Sequence, residues 1–132
     1  MKMSKTLGIV VALLFMVSVL AGTVSAATVS TTEFGTFSYD LTKTFESGTR
    51  SGFVIVNAYT GISVPKSTST VYVTMDIRDN STGALYQTLT DSNATYASKT
   101  FNYDTGLRDL GVFACHEARG TTSVVRYTSC VV

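Results

Sequence analysis

Few side chains in this sequence have types suited to catalysis, and the chain of 132 residues contains a single histidine. A Ser-His-Asp triad would have to use His116 as its base, yet no serine lies in a Gly-x-Ser-x-Gly nucleophile elbow. Carboxylate pairs such as Asp76 with Asp79, or Glu33 with Asp40, lack an adjacent aromatic-lined cleft that would suit a glycosidase. We therefore expect a protein that is not an enzyme, and we rank a small hydrolase that uses His116 last among the functions considered.

Metal ligands are equally sparse in the sequence. Zinc needs several Cys, His or carboxylate ligands at suitable spacing, and one histidine with two cysteines does not supply them. Asp76, Asp79, Asn80 and Ser81 offer oxygen ligands of the kind that calcium binds, but their spacing does not match an EF-hand loop. The same residue types are what an ordinary β-turn requires, so we expect neither a metal nor a cofactor.

The two cysteines, Cys115 and Cys130, are expected to form a disulfide, because a protein exported to an oxidising compartment pairs its thiols. The bridge would close a ring of about 15 residues and stabilise the fold by about 3 kcal/mol. A reactive thiol is the alternative, but a CxxC spacing is absent, and neighbours such as Cys115 and His116 point to opposite faces of a strand. The sequence leaves open whether the bridge joins adjacent strands or two sheets.

Export is predicted from the N-terminus. Lysines near the start precede residues 7–20, an apolar stretch without a charge, and the small residues of 24–26 resemble a signal-peptidase site. A membrane anchor is the alternative, but a spanning helix needs about 20 predominantly apolar residues, and serine and glycine dilute the end of this stretch. We predict a helical signal peptide over residues 1–26, cleaved to release a secreted domain of residues 27–132 without a stable membrane anchor.

The overall charge argues against two classes of partner. The formal net charge is +1 at pH 7, and the basic residues are scattered singly. Nucleic acid requires clustered Lys and Arg to neutralise its phosphates, and charge-driven binding to anionic lipids requires a basic patch as well. We therefore expect an extracellular protein or glycan as partner, and no nucleic acid, while the oligomeric state is not specified by the sequence.

Strand-like periodicity continues through the rest of the chain. Apolar and polar side chains alternate over residues 37–45 and 71–78. Turn-forming residues separate the apolar segments at roughly the 8–12-residue intervals typical of all-β domains. The last two predicted strands, residues 110–118 and 123–132, are joined near Gly120. These patterns predict an all-β fold, an antiparallel β-sandwich of about seven to eight strands.

The clearest predicted hairpin joins residues 71–78 to residues 84–90 through a turn at residues 79–83 that is rich in Asp, Asn, Ser, Thr and Gly. Apolar side chains match across the two strands when Ile77 lies opposite Leu85. This register places Gln87 opposite Met75, a pairing that it does not explain.

The same register brings two tyrosines and three threonines, including Thr90, onto the outward face of the hairpin. Tyrosine combines rigid apolar contact with a polar tip, which suits a sugar or another protein. We therefore expect Tyr72, Thr74, Tyr86 and Thr88 to bind the ligand. The alternative is an ordinary solvated face, since Thr and Tyr are common strand residues.

Together, these features predict a secreted, non-enzymatic binding or interaction protein that engages a cell-surface, glycan or protein ligand. The alternative is a secreted effector of the bacteriocin or toxin type, which would act on other cells. Asn80 and Asn93 begin glycosylation sequons, whose use depends on the host.

Overall fold

The computed structural model describes residues 26–45 and 52–132. The predicted signal peptide, residues 1–26, lies outside the described residues except for Ala26. Its cleavage, and with it the division of the chain after residue 26, therefore stays a prediction.

The described residues form eight β-strands and no helix, so the predicted all-β class and number of strands are confirmed. No helix in this part of the chain is long and apolar enough to cross a membrane. The strands are β1 (Ala27–Thr31), β2 (Gly35–Phe45), β3 (Phe53–Ile62), β4 (Thr70–Asp79), β5 (Leu85–Asn93), β6 (Tyr96–Asp104), β7 (Leu110–Arg119) and β8 (Val124–Val131).

The strands form two four-stranded sheets in which every neighbouring pair is antiparallel. Sheet A has the order β1-β2-β3-β6, and sheet B has the order β5-β4-β7-β8. One buried cluster lies between the sheets, as in the predicted sandwich. Its fully buried members include Phe37 and Leu41 of β2, Val54 and Val56 of β3, Val71, Val73, Met75 and Ile77 of β4, and Val112 of β7.

Alternation along β4 shows why these residues form a sandwich strand. Val71, Val73, Met75 and Ile77 are buried, and the residues between them are partly exposed. Successive side chains of a strand point to opposite faces. Each buried Val or Ile stabilises the fold by roughly 1.5–3 kcal/mol relative to an exposed one, so this face is fixed against the core.

The hairpin of β5 and β6 crosses from one sheet to the other and closes one flank of the sandwich. Strand β5 is an edge of sheet B, and β6 is an edge of sheet A. The backbone N–H of Ser98 donates to Oδ2 of Asp91 at 3.0 Å, which ties the two strands together. The opposite flank, between the edge strands β1 and β8, contains a groove of about 500 Å³ lined by both strands.

A single carboxylate joins the β1–β2 turn to the β7–β8 turn at one end of the sandwich. Glu33 accepts hydrogen bonds from the backbone N–H of Thr121 at 2.9 Å and from the hydroxyls of Thr122 and Ser123. The Ser123 and Thr122 hydroxyls lower the pKa of Glu33 from 4.5 to about 2. A Cβ at position 120 would collide with this carboxylate, so the position requires Gly120.

The predicted register of the β4–β5 hairpin is wrong by two residues. Ile77 lies opposite Gln87 rather than Leu85, and Met75 lies opposite Leu89. The turn shifts the pairing by one residue, since Arg78 lies opposite Leu85, and a β-bulge at Ile77/Arg78 with an extra residue on β5 shifts it by one more. The corrected register gives Met75 an apolar partner and places the exposed Gln87 opposite Ile77 instead.

Candidate functional site

The outer face of sheet B carries a shallow concave surface. Strands β4 and β7 lie at its centre, with β8 at its edge. A shallow cavity of about 410 Å³, called here the outer hollow, is lined by Thr74, Asp76, Phe113, Ala114, Cys115, Thr128, Ser129 and Cys130. A concave surface with mixed polar and apolar lining is the usual setting of a binding site.

Three of the four residues predicted to bind the ligand lie on this outer face. Tyr72 and Thr74 belong to β4, and Thr88 of β5 lies opposite Asp76. The Thr88 hydroxyl donates to Oδ1 of Asp76 at 2.7 Å. Thr74 lines the outer hollow directly, whereas Tyr72 and Thr88 lie beside it.

Tyr86 is not brought together with the other three residues. The β-bulge leaves it out of the ladder that pairs Arg78 with Leu85 and Ile77 with Gln87. Its ring instead contacts Phe101 of β6, with centroids 6.3 Å apart, and lies 4.6 Å from the Arg108 guanidinium carbon. The predicted register, with Ile77 opposite Leu85, would have paired Tyr86 with Asp76, and that pairing is therefore wrong.

Sequence reasoning missed Phe113, which lines the outer hollow from β7. Its side chain is 47% exposed although β7 is an interior strand of the sheet. Phe113 lies opposite Asp76 on one side and Cys130 on the other. The sequence contains no clear signal for this exposure, because residues 110–115 include no polar side chain on either parity of the strand.

A cluster of one carboxylate and two guanidinium groups borders the outer hollow. Glu117 is only 4% exposed although it belongs to the outward parity of β7. Arg119 donates to its Oε1, and Arg126 donates to its Oε2. Burial acts to raise the pKa of Glu117, but these hydrogen bonds outweigh it and hold the pKa below its ordinary value.

Arg119 of this cluster also contacts the ring of Tyr72 and holds it in place. The guanidinium carbon of Arg119 lies 4.9 Å from the centroid of the Tyr72 ring, within the range of a cation–π contact. One face of that ring is therefore occupied by Arg119. Tyr72 thus acts as part of the border of the hollow rather than as an open aromatic platform.

The predicted disulfide between Cys115 and Cys130 is absent, and both thiols are free. Cys115 lies opposite Thr128, and Cys130 lies opposite Phe113, so the two cysteines are diagonal neighbours on one face of β7 and β8. Diagonal neighbours are roughly 7–8 Å apart, beyond the Cα separation of about 4.4–6.8 Å that a disulfide requires. Desolvation by burial raises the pKa of the Cys115 thiol.

His116 lies on the opposite face of β7, inside the sandwich, and has no exposed surface. Its Nδ1 is 3.0 Å from the Thr60 hydroxyl, and its Nε2 is 2.8 Å from the Ser129 hydroxyl. The Tyr39 ring packs against it with centroids 5.0 Å apart. Burial lowers the pKa of His116 to about 4, which keeps the imidazole neutral.

This arrangement of hydroxyl, imidazole and hydroxyl resembles a nucleophile and its base only in part. Thr60 stands where a triad has a carboxylate, so nothing in this contact stabilises an imidazolium ion. The imidazole is also enclosed by Tyr39 and by the two sheets, which leaves a substrate no approach to it. The geometry suits a core residue that joins the sheets.

The residues considered as calcium ligands serve the β4–β5 turn. Oδ1 of Asp79 accepts hydrogen bonds from the backbone N–H groups of Ser81 and Thr82, each at 2.9 Å, and from both hydroxyls. These bonds lower the pKa of Asp79. Within residues 26–45 and 52–132, no three His, Cys, Asp or Glu residues lie together as a metal site would require.

The fold and the outer hollow define a two-sheet, all-β domain with a concave surface on one broad face. No protein-family model matches the chain, and no curated protein is significantly similar to it in sequence.

Proposed function

We propose that this chain is a secreted, non-enzymatic binding protein that engages a protein ligand outside the cell through the outer face of sheet B. The observation that carries the proposal is the exposed aromatic side chain of Phe113 beside the outer hollow. Aromatic side chains, phenylalanine among them, are enriched in protein interfaces relative to the rest of the surface, so this ring is suited to anchor a partner.

The surroundings of Phe113 match the anatomy of a protein interface. Protein interfaces combine an apolar centre with a polar rim that excludes water. Here Phe113 and Ala114 are the apolar lining, and Thr74, Asp76 and Thr128 are polar lining. Arginine is also enriched at interfaces.

Arg119 and Arg126 extend this rim. Their side chains remain 56% and 59% exposed while Glu117 holds them in place. A guanidinium group that is already ordered loses less conformational entropy when a partner binds. The contact of Arg119 with Tyr72 makes a flat sugar a poorer candidate at this border than a protein, because one face of the tyrosine ring is already covered.

The test measures retention of fluorescently labelled protein on cell envelopes, with and without protease treatment of the envelopes. We expect saturable retention that protease treatment abolishes. Phe113→Ala should weaken it at least tenfold, which corresponds to about 1.4 kcal/mol. Val124→Ala is the matched control, because Val124 is exposed on the same face but opposite Arg119, at the other end of β7.

Two results would overturn the proposal. One is retention that is unchanged in Phe113→Ala, and the other is the absence of saturable retention on any envelope. Growth inhibition of neighbouring cells by the purified protein would instead favour the effector alternative, in which the exported domain acts on other cells.

A further inference from the structure

The outer face of sheet A carries a second group of side chains that the function proposed above does not use. Tyr59 of β3 and Tyr96 of β6 lie diagonally across the ladder, since Tyr59 is opposite Ser98 and Gly61 is opposite Tyr96. Their ring centroids are 5.6 Å apart and the ring planes are inclined by 24°. The two rings, called here the tyrosine platform, therefore form a continuous aromatic surface.

Gly61 explains why the platform lies close to the sheet. Cδ2 of Tyr96 is 3.4 Å from the position that a Cβ would occupy at Gly61, and Oγ of Ser38 is 3.3 Å from it. A methyl group at this position would just contact the Tyr96 ring, whereas a larger side chain such as leucine would displace it. The ring nevertheless remains 52% exposed, so the sheet supports one part of it and solvent covers the rest.

Asp40 of β2 adds a carboxylate beside the platform, directly opposite Tyr59. Its Oδ1 is buried and has no hydrogen-bond partner. A buried acceptor without a donor costs about 1–3 kcal/mol, and the cost is larger for a charged group. Desolvation by burial accordingly raises the pKa of Asp40, and burial followed by the charge of Asp40 raises the pKa of Tyr59.

The outward positions around the platform are short and polar. Ser38, Thr42, Asn57, Ser98 and Thr100 surround Asp40 and Tyr59 on β2, β3 and β6. The Thr100 hydroxyl donates to Oδ1 of Asn57 at 2.7 Å. A protein interface has an apolar centre, which the immediate neighbours of these tyrosines do not provide.

Charge narrows the choice of ligand further. On the described strands of sheet A, the outward positions include Asp40 and Asp104 and no Lys or Arg. A negatively charged polymer would be repelled by these carboxylates, because no Lys or Arg on this face compensates their charge. The face therefore discriminates against acidic ligands.

We propose that the tyrosine platform and Asp40 form a binding site for a neutral carbohydrate. The apolar C–H face of a pyranose ring packs against Tyr96 and Tyr59, and a sugar hydroxyl donates to the Asp40 carboxylate. Asp40 is only partly buried, and a hydroxyl that donates to its carboxylate offsets part of the cost of leaving Oδ1 without a donor.

This site is separate from the outer hollow. The platform lies on the outer face of sheet A and the hollow on the outer face of sheet B, with the buried core between them. The two sites share no residue, so each can fail in experiment without affecting the other.

The experiment titrates the purified protein with neutral hexasaccharides of glucose, mannose, xylose and N-acetylglucosamine, and with an oligogalacturonate as the acidic comparison. Isothermal titration and NMR chemical-shift changes give affinity and location. We expect saturable binding of at least one neutral oligosaccharide, with the shifts centred on Tyr96. Tyr96→Ala should weaken the binding at least tenfold, and Asp40→Asn at least threefold.

Two variants serve as matched controls. Tyr86→Ala removes a tyrosine of similar exposure, 46%, that lies away from the platform, and Phe113→Ala alters only the outer hollow. Both should bind the oligosaccharide with unchanged affinity. Circular dichroism and thermal unfolding verify that every variant is folded, and Gly61→Leu provides a second test because it displaces the Tyr96 ring without removing it.

The proposal is overturned if none of the neutral oligosaccharides binds at millimolar concentration. It is equally overturned if the affinity is insensitive to both Tyr96→Ala and Gly61→Leu, or if the oligogalacturonate binds more tightly than every neutral ligand. Loss of binding in Phe113→Ala alone would assign the sugar to the outer hollow instead and would also contradict the proposal.

Discussion

Nδ1 of His116 lies 3.0 Å from the hydroxyl of Thr60, so a single imidazole joins β7 of sheet B to β3 of sheet A. The ring is fully buried, and burial lowers its pKa from 6.5 to about 4. The imidazole must therefore be neutral for the sandwich to keep its packing, which links stability to pH.

Acidification should destabilise the protein between pH 6.5 and pH 4. In this window the unfolded chain binds a proton at His116 and the folded chain does not, so the free energy of unfolding decreases as the pH falls. The shift corresponds to about 3 kcal/mol in total. Urea unfolding at several pH values measures the slope.

His116→Gln should flatten this slope, whereas Thr128→Ala, an exposed change on β8, should retain it. An equal slope in wild type and His116→Gln would contradict the assignment.

Glu33 should also make the stability depend on pH, but at lower pH than His116 does. Its pKa is lowered from 4.5 to about 2 in the folded state, so its stabilisation is present above 4.5 and is lost as the pH falls through about 2. Glu33→Gln should remove this part of the pH profile. The measurement is the midpoint of thermal unfolding between pH 5 and pH 2, compared with the Asp109→Asn variant as an exposed carboxyl control.

The close approach of Gly120 to Glu33 gives a separate test of the same contact. Gly120→Ala should destabilise the protein by about 1–3 kcal/mol, because the new methyl group collides with the carboxylate. In Glu33→Ala the collision partner is gone, so adding Gly120→Ala should cost clearly less. Urea unfolding of the four proteins of this double-mutant cycle measures the coupling, and additive costs would rule out the contact.

Both cysteines should react with a thiol reagent in the native protein. Cys130 is exposed and should react first, whereas Cys115 should be slower because burial restricts access and raises its pKa. A reductant should leave the unfolding temperature unchanged. Cys130→Ser should abolish the fast phase and Cys115→Ser the slow one. A native protein that shows no titratable thiol would restore the disulfide interpretation.

The hydroxyl of Tyr103 should contribute measurably to stability. It donates to the backbone carbonyl of Leu110 at 3.0 Å in the interior, where it holds the segment between β6 and β7 against the core. Tyr103→Phe leaves that carbonyl without its partner and should cost about 1–3 kcal/mol. Tyr72→Phe is the comparison, because the Tyr72 ring contact does not require its hydroxyl, and it should cost little. Equal costs for the two variants would contradict the role of the Tyr103 hydroxyl.

The strands could be predicted from the sequence because their signal is local. The alternation over residues 71–78 corresponds to β4, and the predicted segments 110–118 and 123–132 correspond to β7 and β8. Burial of every second residue is a property of the strand itself, so no knowledge of its neighbours is needed.

Pairing between strands was predicted less well, because turn geometry decides it. The turn and the one extra residue in the bulge at Ile77/Arg78 together shifted the β4–β5 ladder by two residues and separated Tyr86 from Asp76. The turn after Arg119 placed Cys115 opposite Thr128, which separated it from Cys130. A register cannot be derived from apolar matching alone when a bulge changes the count.

The grouping of the tyrosine platform with Asp40 on sheet A could not be predicted from the sequence. Asp40, Tyr59 and Tyr96 belong to three strands that become neighbours only through the order β2-β3-β6. Strand β6 lies beside β3 although two other strands separate them along the chain. Such an order depends on long-range packing, which periodicity does not encode.

The confinement of the core to the space between the sheets has an evolutionary consequence. On β2, β3 and β6 the outward positions contribute nothing to the buried cluster, so substitutions there change surface chemistry at little thermodynamic cost. Substitutions can therefore accumulate on one broad face while the other face and the free energy of folding stay almost constant.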